Sequence, residues 1–141
     1  MDLSILIKDT IVYIRVAGII KTPRGLLFEK SEYGYVRTLG GKVMLNESSE
    51  EAIERELMEE IGLKTENPIL CAIVENIYKK SNEKVHEICF VYNIDNIFMD
   101  TIPNGFLEIP IEEIVNYDIR PNSIIEILKN GKGSFKHIIT K

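Results

Sequence analysis

The chain has 141 residues, enough for one domain with a proper core. Its 45% apolar and 28% charged content is that of an ordinary soluble globular protein. A net charge of −5, with basic residues scattered rather than clustered, excludes a nucleic-acid groove.

The first residues, MDLSILIKDT, carry acid early and lack the apolar length of a signal peptide or membrane span. A cytoplasmic location, with no membrane partner, is the resulting expectation. Residues 3–8 alternate as a short edge strand, and 10–20 (TIVYIRVAGII) form a stronger, β-branched strand. Residues 21–25, with Pro23 and Gly25, read as a hairpin turn, and 25–30 as the returning strand. Residues 31–37 read as a loop carrying Tyr33 and Tyr35, and 38–43 lead into a helix over 48–61.

That helix has clear ends. Ser48 is a good N-cap with Glu51 three residues on, a capping box, and Gly62 suits the C-terminal cap. Beyond it, 68–78 and 85–94 read as strands joined by a polar turn at 79–84. Residues 97–105 read as a loop, 106–110 as a short strand, 111–115 as a helical turn and 122–129 as a helix ending at Asn130-Gly131. Cys71 and Cys89 lack metal-type spacing and sit in apolar strands, so buried thiols are expected.

The chemistry concentrates in the central helix. At ~100° per residue, Ile53, Leu57 and Ile61 share an arc of about 80° that can face a core. Glu56, Glu59 and Glu60 share the neighbouring arc, and Arg55 is the only cation in the helix. Ionised glutamates so placed repel one another. A hard divalent cation would absorb that charge, since Mg²⁺ and Mn²⁺ prefer carboxylate oxygens.

Residues 41–63 carry Gly41, Glu47, Arg55-Glu56-Leu57, Glu59-Glu60 and Gly62-Leu63. This resembles, at every defined position, the Nudix hydrolase signature G-x5-E-x7-R-E-U-x-E-E-x-G-U, where U is aliphatic. From average usage, chance agreement is on the order of one in a billion per starting position. The resemblance covers roughly residues 10–130, with the closing segment FLEIPIEEIVNYDIRP similar to many Nudix domains. It implies a single domain over 1–141, an α/β fold built as an α/β/α sandwich around a mixed β-sheet.

The implied activity is a divalent-metal-dependent pyrophosphohydrolase that cleaves a nucleoside diphosphate linked to another moiety. ADP-ribose, nucleotide sugars, dinucleoside polyphosphates and modified nucleoside triphosphates all fit. Carried over by position, Glu56, Glu59 and Glu60 are the implied ligands of Mg²⁺ or Mn²⁺, with Glu60 the most direct. Glu47 and the carbonyl of Gly40 complete the metal set. Glu59, Glu60 and Arg55 are the implied catalytic group, Arg55 by orienting a signature glutamate. The general base is either a signature glutamate or a later carboxylate, among Asp95, Asp100, Glu108 and Glu87. His86 reads as a hydrogen-bonded surface histidine.

Tyr33, Tyr35, Tyr78 and Phe106 could equally stack a base or pack. Leu39 stands where the family commonly has Pro, a departure that leaves the chemistry intact. Tyr78 stands where ADP-ribose-directed members often have Pro, and resembles the dinucleoside-polyphosphate group instead. Discrimination among substrates is expected from the loops at 31–37 and 97–105. The competing class is a non-catalytic Nudix module that senses a nucleotide; such modules usually lack signature glutamates that this chain keeps. An isomerase of allylic diphosphates on the same fold would need segments this chain does not show. A homodimer is left open.

Overall fold

The computed structural model describes residues 1–95, 97–129 and 134–141. Ten strands form one mixed sheet: β1 (Ser4–Ile7), β2 (Thr10–Thr22), β3 (Gly25–Lys30), β4 (Val36–Arg37), β5 (Leu39–Lys42), β6 (Ile69–Lys80), β7 (Glu83–Ile94), β8 (Phe106–Ile109), β9 (Ile119–Arg120) and β10 (Lys136–Thr140). Two α-helices, α1 (Ser49–Ile61) and α2 (Ser123–Lys129), and a 3-10 turn at Ile111–Asn116 complete the described structure.

The sheet is organised on β2. Its thirteen residues pair in parallel with β7 along one edge, from Thr10↔Lys84 to Ile20↔Ile94. Along its other edge it pairs antiparallel, in turn, with β1, β5 and β3. A strand with a core on each face must be apolar on both, and the run of Ile, Val and Ala in β2 supplies that. Its alternation then feeds two cores. Val16 and Ile20 pack with Leu39, Val43, Ala52, Ile53 and Leu57, beneath α1. Ala17 and Ile19 pack with Val74, Val91, Ile124 and Ile127, beneath α2. Helices on both faces of a mixed sheet make the expected α/β/α sandwich.

The capping box of α1 is present, with the Glu51 amide bonded to Ser48 Oγ at 3.1 Å and the Ser48 amide to Glu51 Oε2 at 2.7 Å. Gly62 closes the helix in the left-handed conformation at φ 66°. Four strands differ from the sequence reading. β4 lies within the expected loop at 31–37, and β5 occupies the expected lead-in to the helix. β9 and β10 fall where no element was anticipated. All four are short, two to five residues, too short to carry a period that announces them. The expected end of the last helix at Asn130-Gly131 lies outside the described residues. Cys71 and Cys89 are free and buried as expected, and burial pushes their thiols up, to about 11 and about 12. No helix among the described residues is long and apolar enough to cross a membrane.

Candidate active site

The paired glycines of β5 set where α1 can lie. Gly40 and Gly41 pair with Ala17 and Val16 of β2. Gly40, at φ 154°, takes a conformation that disfavours side chains, and a Cβ there would collide with the Val16 carbonyl. A Cβ on Gly41 would collide with the Glu56 carboxylate. Only a glycine leaves that carboxylate room against the strand.

Arg55 occupies the centre of the acidic face. Nε bonds Glu47 Oε1 at 2.6 Å, and Nη2 bonds Glu47 Oε2 at 3.1 Å and the Lys42 carbonyl at 3.1 Å. Nη1 bonds Glu56 Oε1 at 3.0 Å and Glu59 Oε2 at 3.3 Å. The guanidinium has five N–H donors, so every one is engaged. These bonds, with the Met44 amide at 2.9 Å from Glu47 Oε2, hold the Glu47 carboxyl below its ordinary value. They also raise the Arg55 pKa further above the neutral range. Glu59 has the longest of these bonds and a side chain 57% exposed, against 15% for Glu56. It is the carboxylate most easily drawn off Arg55.

Glu60 stands apart from this cluster. Burial, then the charges of Glu29 and Glu56, push its carboxyl up to about 7, against the opposing pull of the Gly40 amide and Arg15. Its Oε2 is buried with no hydrogen-bond partner. Among the described residues, no three carboxylate, imidazole or thiol side chains converge to hold a metal ion as they stand. Arg55 instead takes the central position between Glu47, Glu56 and Glu59. The donor set nonetheless fits a hard cation: it is all oxygen, it includes an orphaned buried carboxylate oxygen, and it lies against glycines that make room for it.

A second feature adjoins the first. A cavity of about 470 Å³ opens on the sheet, lined among others by Arg15, Arg37, Thr38, Asn76, Glu87 and Arg120. Arg15 belongs to both regions, since its charge reaches Glu60 and it lines the cavity. So does the Arg37–Glu29 pair, bonded at 3.0 and 3.2 Å, because Glu29 is the charge felt most at Glu60. Thr38 Oγ1, on the cavity wall, is also buried without a partner.

The carboxylates considered for a general base scatter. Glu87 lines the cavity. Asp95 pairs with Lys21 at 3.9 Å, and Glu108 with Arg24 at 2.8 Å and with Thr22. Asp100 is exposed on its loop, and His86 is half-buried, its side chain alternating to the sheet face opposite Glu87. Of the aromatics, Tyr35 and Tyr78 line the cavity. Tyr35 is covered by Arg120, 4.1 Å from its centroid, and stacks on exposed Tyr33 at 6.4 Å. Tyr78 bonds Tyr13 through their hydroxyls at 3.2 Å. The 31–37 loop contributes Tyr35 and Arg37 to this cavity, whereas 97–105 contributes none of its lining.

Arg15, Arg37, Asn76 and Arg120 escaped the sequence reading. A lone Arg in the apolar run IVYIRVAGII and a lone Asn in ILCAIVENIY were the available signals.

The sequence matches the NUDIX domain over residues 12–122. No curated protein matches the chain. Among solved structures, the mutator MutT protein of Bacillus halodurans superposes with a TM-score of 0.69 at 18% identity, covering 89% of each chain. The MutT protein of Methanosarcina mazei gives 0.68 at 21%, covering 89% of this chain and 95% of that one. An ADP-ribose pyrophosphatase of Streptococcus suis gives 0.59 at 11%, covering 89% and 98%. At such identities these likenesses establish the fold alone. The family match spans most of the chain, including the whole α1 signature and the glycines it packs on, and the chain therefore belongs to the Nudix family of hydrolases.

Proposed function

We propose that this hydrolase cleaves the pyrophosphate of a nucleoside diphosphate derivative with Mg²⁺ or Mn²⁺, and releases a nucleoside monophosphate. The observation that carries this is the orphaned, buried Oε2 of Glu60 beside an Arg55-organised set of carboxylates and two glycines. Glu56, Glu59 and Glu60 would hold the cation, with Glu47 and the Gly40 carbonyl completing its oxygen donors. Such a cation neutralises phosphate oxygens and acidifies water.

The chain's own residues do the rest. Arg55, with all five donors committed, fixes Glu47 and Glu56 and has none left for substrate. It is a positioning residue. Arg15 and Lys42 face each other across β2 and β5, and among the described residues neither has an ion-pair partner, though Lys42 lies 4.8 Å over the Tyr13 ring. They offer free positive charge to a phosphate chain between the cavity and the carboxylates. The MutT and ADP-ribose pyrophosphatase neighbours motivate nucleoside triphosphates and ADP-ribose as first substrates; Tyr78 motivates dinucleoside polyphosphates.

The test is a panel of these compounds plus nucleotide sugars, with Mg²⁺ or Mn²⁺, read by phosphate release after phosphatase coupling. At least one is turned over. Turnover of none at micromolar enzyme overturns the proposal and favours a nucleotide-sensing module. In parallel, Mg²⁺ raises the Tm of the wild type by mass action and leaves Glu59→Gln/Glu60→Gln unmoved. An equal shift in both rejects the ligand assignment.

A further inference from the structure

Asn76 and Glu87 of the cavity lining belong to a line of polar side chains that the sheet register assembles from four strands. Tyr13 of β2 faces Glu87 of β7, Glu87 faces Asn76 of β6, and Asn76 faces Thr140 of β10. Two residues further along, the equivalent row is Arg15, Cys89, Val74 and Ile138. Most of this sheet face is thus apolar core, and Glu87 and Asn76 are buried within it, at 6% and 8% exposure. A buried carboxylate in such a setting is costly without partners that favour its charge.

The hydrogen bonds all run toward Glu87. Thr140 Oγ1 donates to Asn76 Oδ1, and Asn76 Nδ2 donates to Glu87 Oε1 at 2.9 Å. The Tyr13 hydroxyl also bonds the Glu87 carboxylate; burial first and this bond second push the phenol far above its ordinary value. Among the described residues no cation pairs with Glu87. A carboxylate has about four acceptor positions, so these partners leave others unused on a side chain that lines the cavity.

We propose that Glu87 reads the base of the substrate, and that the base it selects is guanine. This rests on the nucleotide reading of the preceding section. A carboxylate presents two parallel acceptors, so its best flat partner presents two adjacent donors. The Watson–Crick edge of guanine does so, with N1–H beside N2–H₂. Adenine and cytosine set one amino donor beside a ring-nitrogen acceptor, which would face the second carboxylate oxygen. Uracil has a single N–H between two carbonyls. The spacing along the sheet agrees. From the Tyr13–Glu87 row to the Ala17–Gly40 row is four residues of β2, about 13 Å at ~3.3 Å per residue. A base edge at Glu87 therefore leaves the length of a nucleoside for its phosphates to reach Gly40 and Gly41, passing Arg15.

The experiment compares GTP, ITP, ATP, CTP and UTP as substrates, with GDP, IDP and ADP binding followed by thermal shift on the same protein. Inosine keeps N1–H and lacks N2–H₂, so it isolates the second donor. The wild type is expected to favour guanosine over inosine and adenosine compounds by about ten- to hundredfold, the discrimination of a bidentate pair. Glu87→Gln, isosteric but with one donor in place of an acceptor, is expected to bring these ratios within about threefold of one another. A purely structural role would lower activity on all nucleotides together and leave the ratios intact. Equal use of guanosine and inosine compounds by the wild type, or a guanine preference that survives in Glu87→Gln, overturns the assignment. If no nucleotide is hydrolysed, the reaction proposed above falls. The thermal shifts then decide this one alone: GDP stabilising above IDP and ADP supports it, and equal stabilisation overturns it.

Discussion

The two halves of the site are built in opposite ways. The carboxylate cluster comes from one helix and the turn before it, and a single guanidinium with five hydrogen bonds ties it together. The polar row that brings Asn76 and Glu87 to the cavity comes from four strands, one residue from each, joined by a relay of bonds between neighbours in register. The first has a hub. The second has none. Losing the hub should therefore disorganise a whole cluster, whereas losing one member of the row should change what is recognised.

Removing the hub is the severest way to break that contrast. Arg55→Ala leaves Glu47 and Glu56 partly buried, like-charged and uncompensated. The expected loss of stability is about 2–4 kcal/mol, at or below the range for breaking a buried pair. The expected fall in kcat is about a hundredfold or more, with KM much less affected, since geometry needed in the transition state is lost. Urea unfolding and steady-state kinetics measure the two. A variant in which KM alone rises would place Arg55 on the substrate and remove the distinction between hub and row.

A gentler probe leaves the hub and crowds one spoke. Gly41→Ala puts a methyl group where the Glu56 carboxylate lies, so either the carboxylate or β5 must shift. Misplacement on the order of 1 Å costs about a hundredfold when it reaches reacting groups; with Arg55 still holding Glu56, a fall of about tenfold in kcat/KM is expected. Gly62→Ala is the control, since a Cβ there meets nothing within 4 Å and acts only through the left-handed φ of 66°. It should lower Tm and leave kcat/KM near wild type. Loss of activity from both glycines alike would mean that helix stability, and not room for Glu56, is what Gly41 provides.

The same contrast explains what could be read before any coordinates. A cluster held by one helix writes itself into local spacing, so Arg55, Glu56, Glu59 and Glu60 stood out, as did the capping Ser48 and Gly62. The fold followed from the resemblance those spacings carry, and β2 showed only as a strong β-branched strand. The cavity did not. Glu87 could be picked out only as one of several late carboxylates, and Asn76, Arg15 and Arg120 not at all. Their meeting depends on register between strands tens of residues apart, and on β4 and β9, each two residues long. A pairing shift of one residue would turn every such side chain to the other face.

Glu60 gives the smallest and sharpest comparison, since it lies outside the hub yet within its field. Its carboxyl, raised from an ordinary 4.5 to about 7 in the folded chain, holds a proton that the unfolded chain has already released. Between those two values the folded state therefore binds more protons than the unfolded one, and stability falls as pH rises. The contribution is fully present below about pH 4.5 and gone above about pH 7. Glu47, held low by Arg55, works in the opposite sense: its stabilisation is present above its ordinary value and is lost in acid. Glu60→Gln removes the first slope and keeps the second. In chelator, with no divalent cation, the Tm of wild type should fall relative to Glu60→Gln across pH 5 to 7. The expected drift is about 2–4 °C, because Glu60 keeps partial solvent contact. Parallel curves for the two proteins would mean that Glu60 is an ordinary, solvated carboxylate.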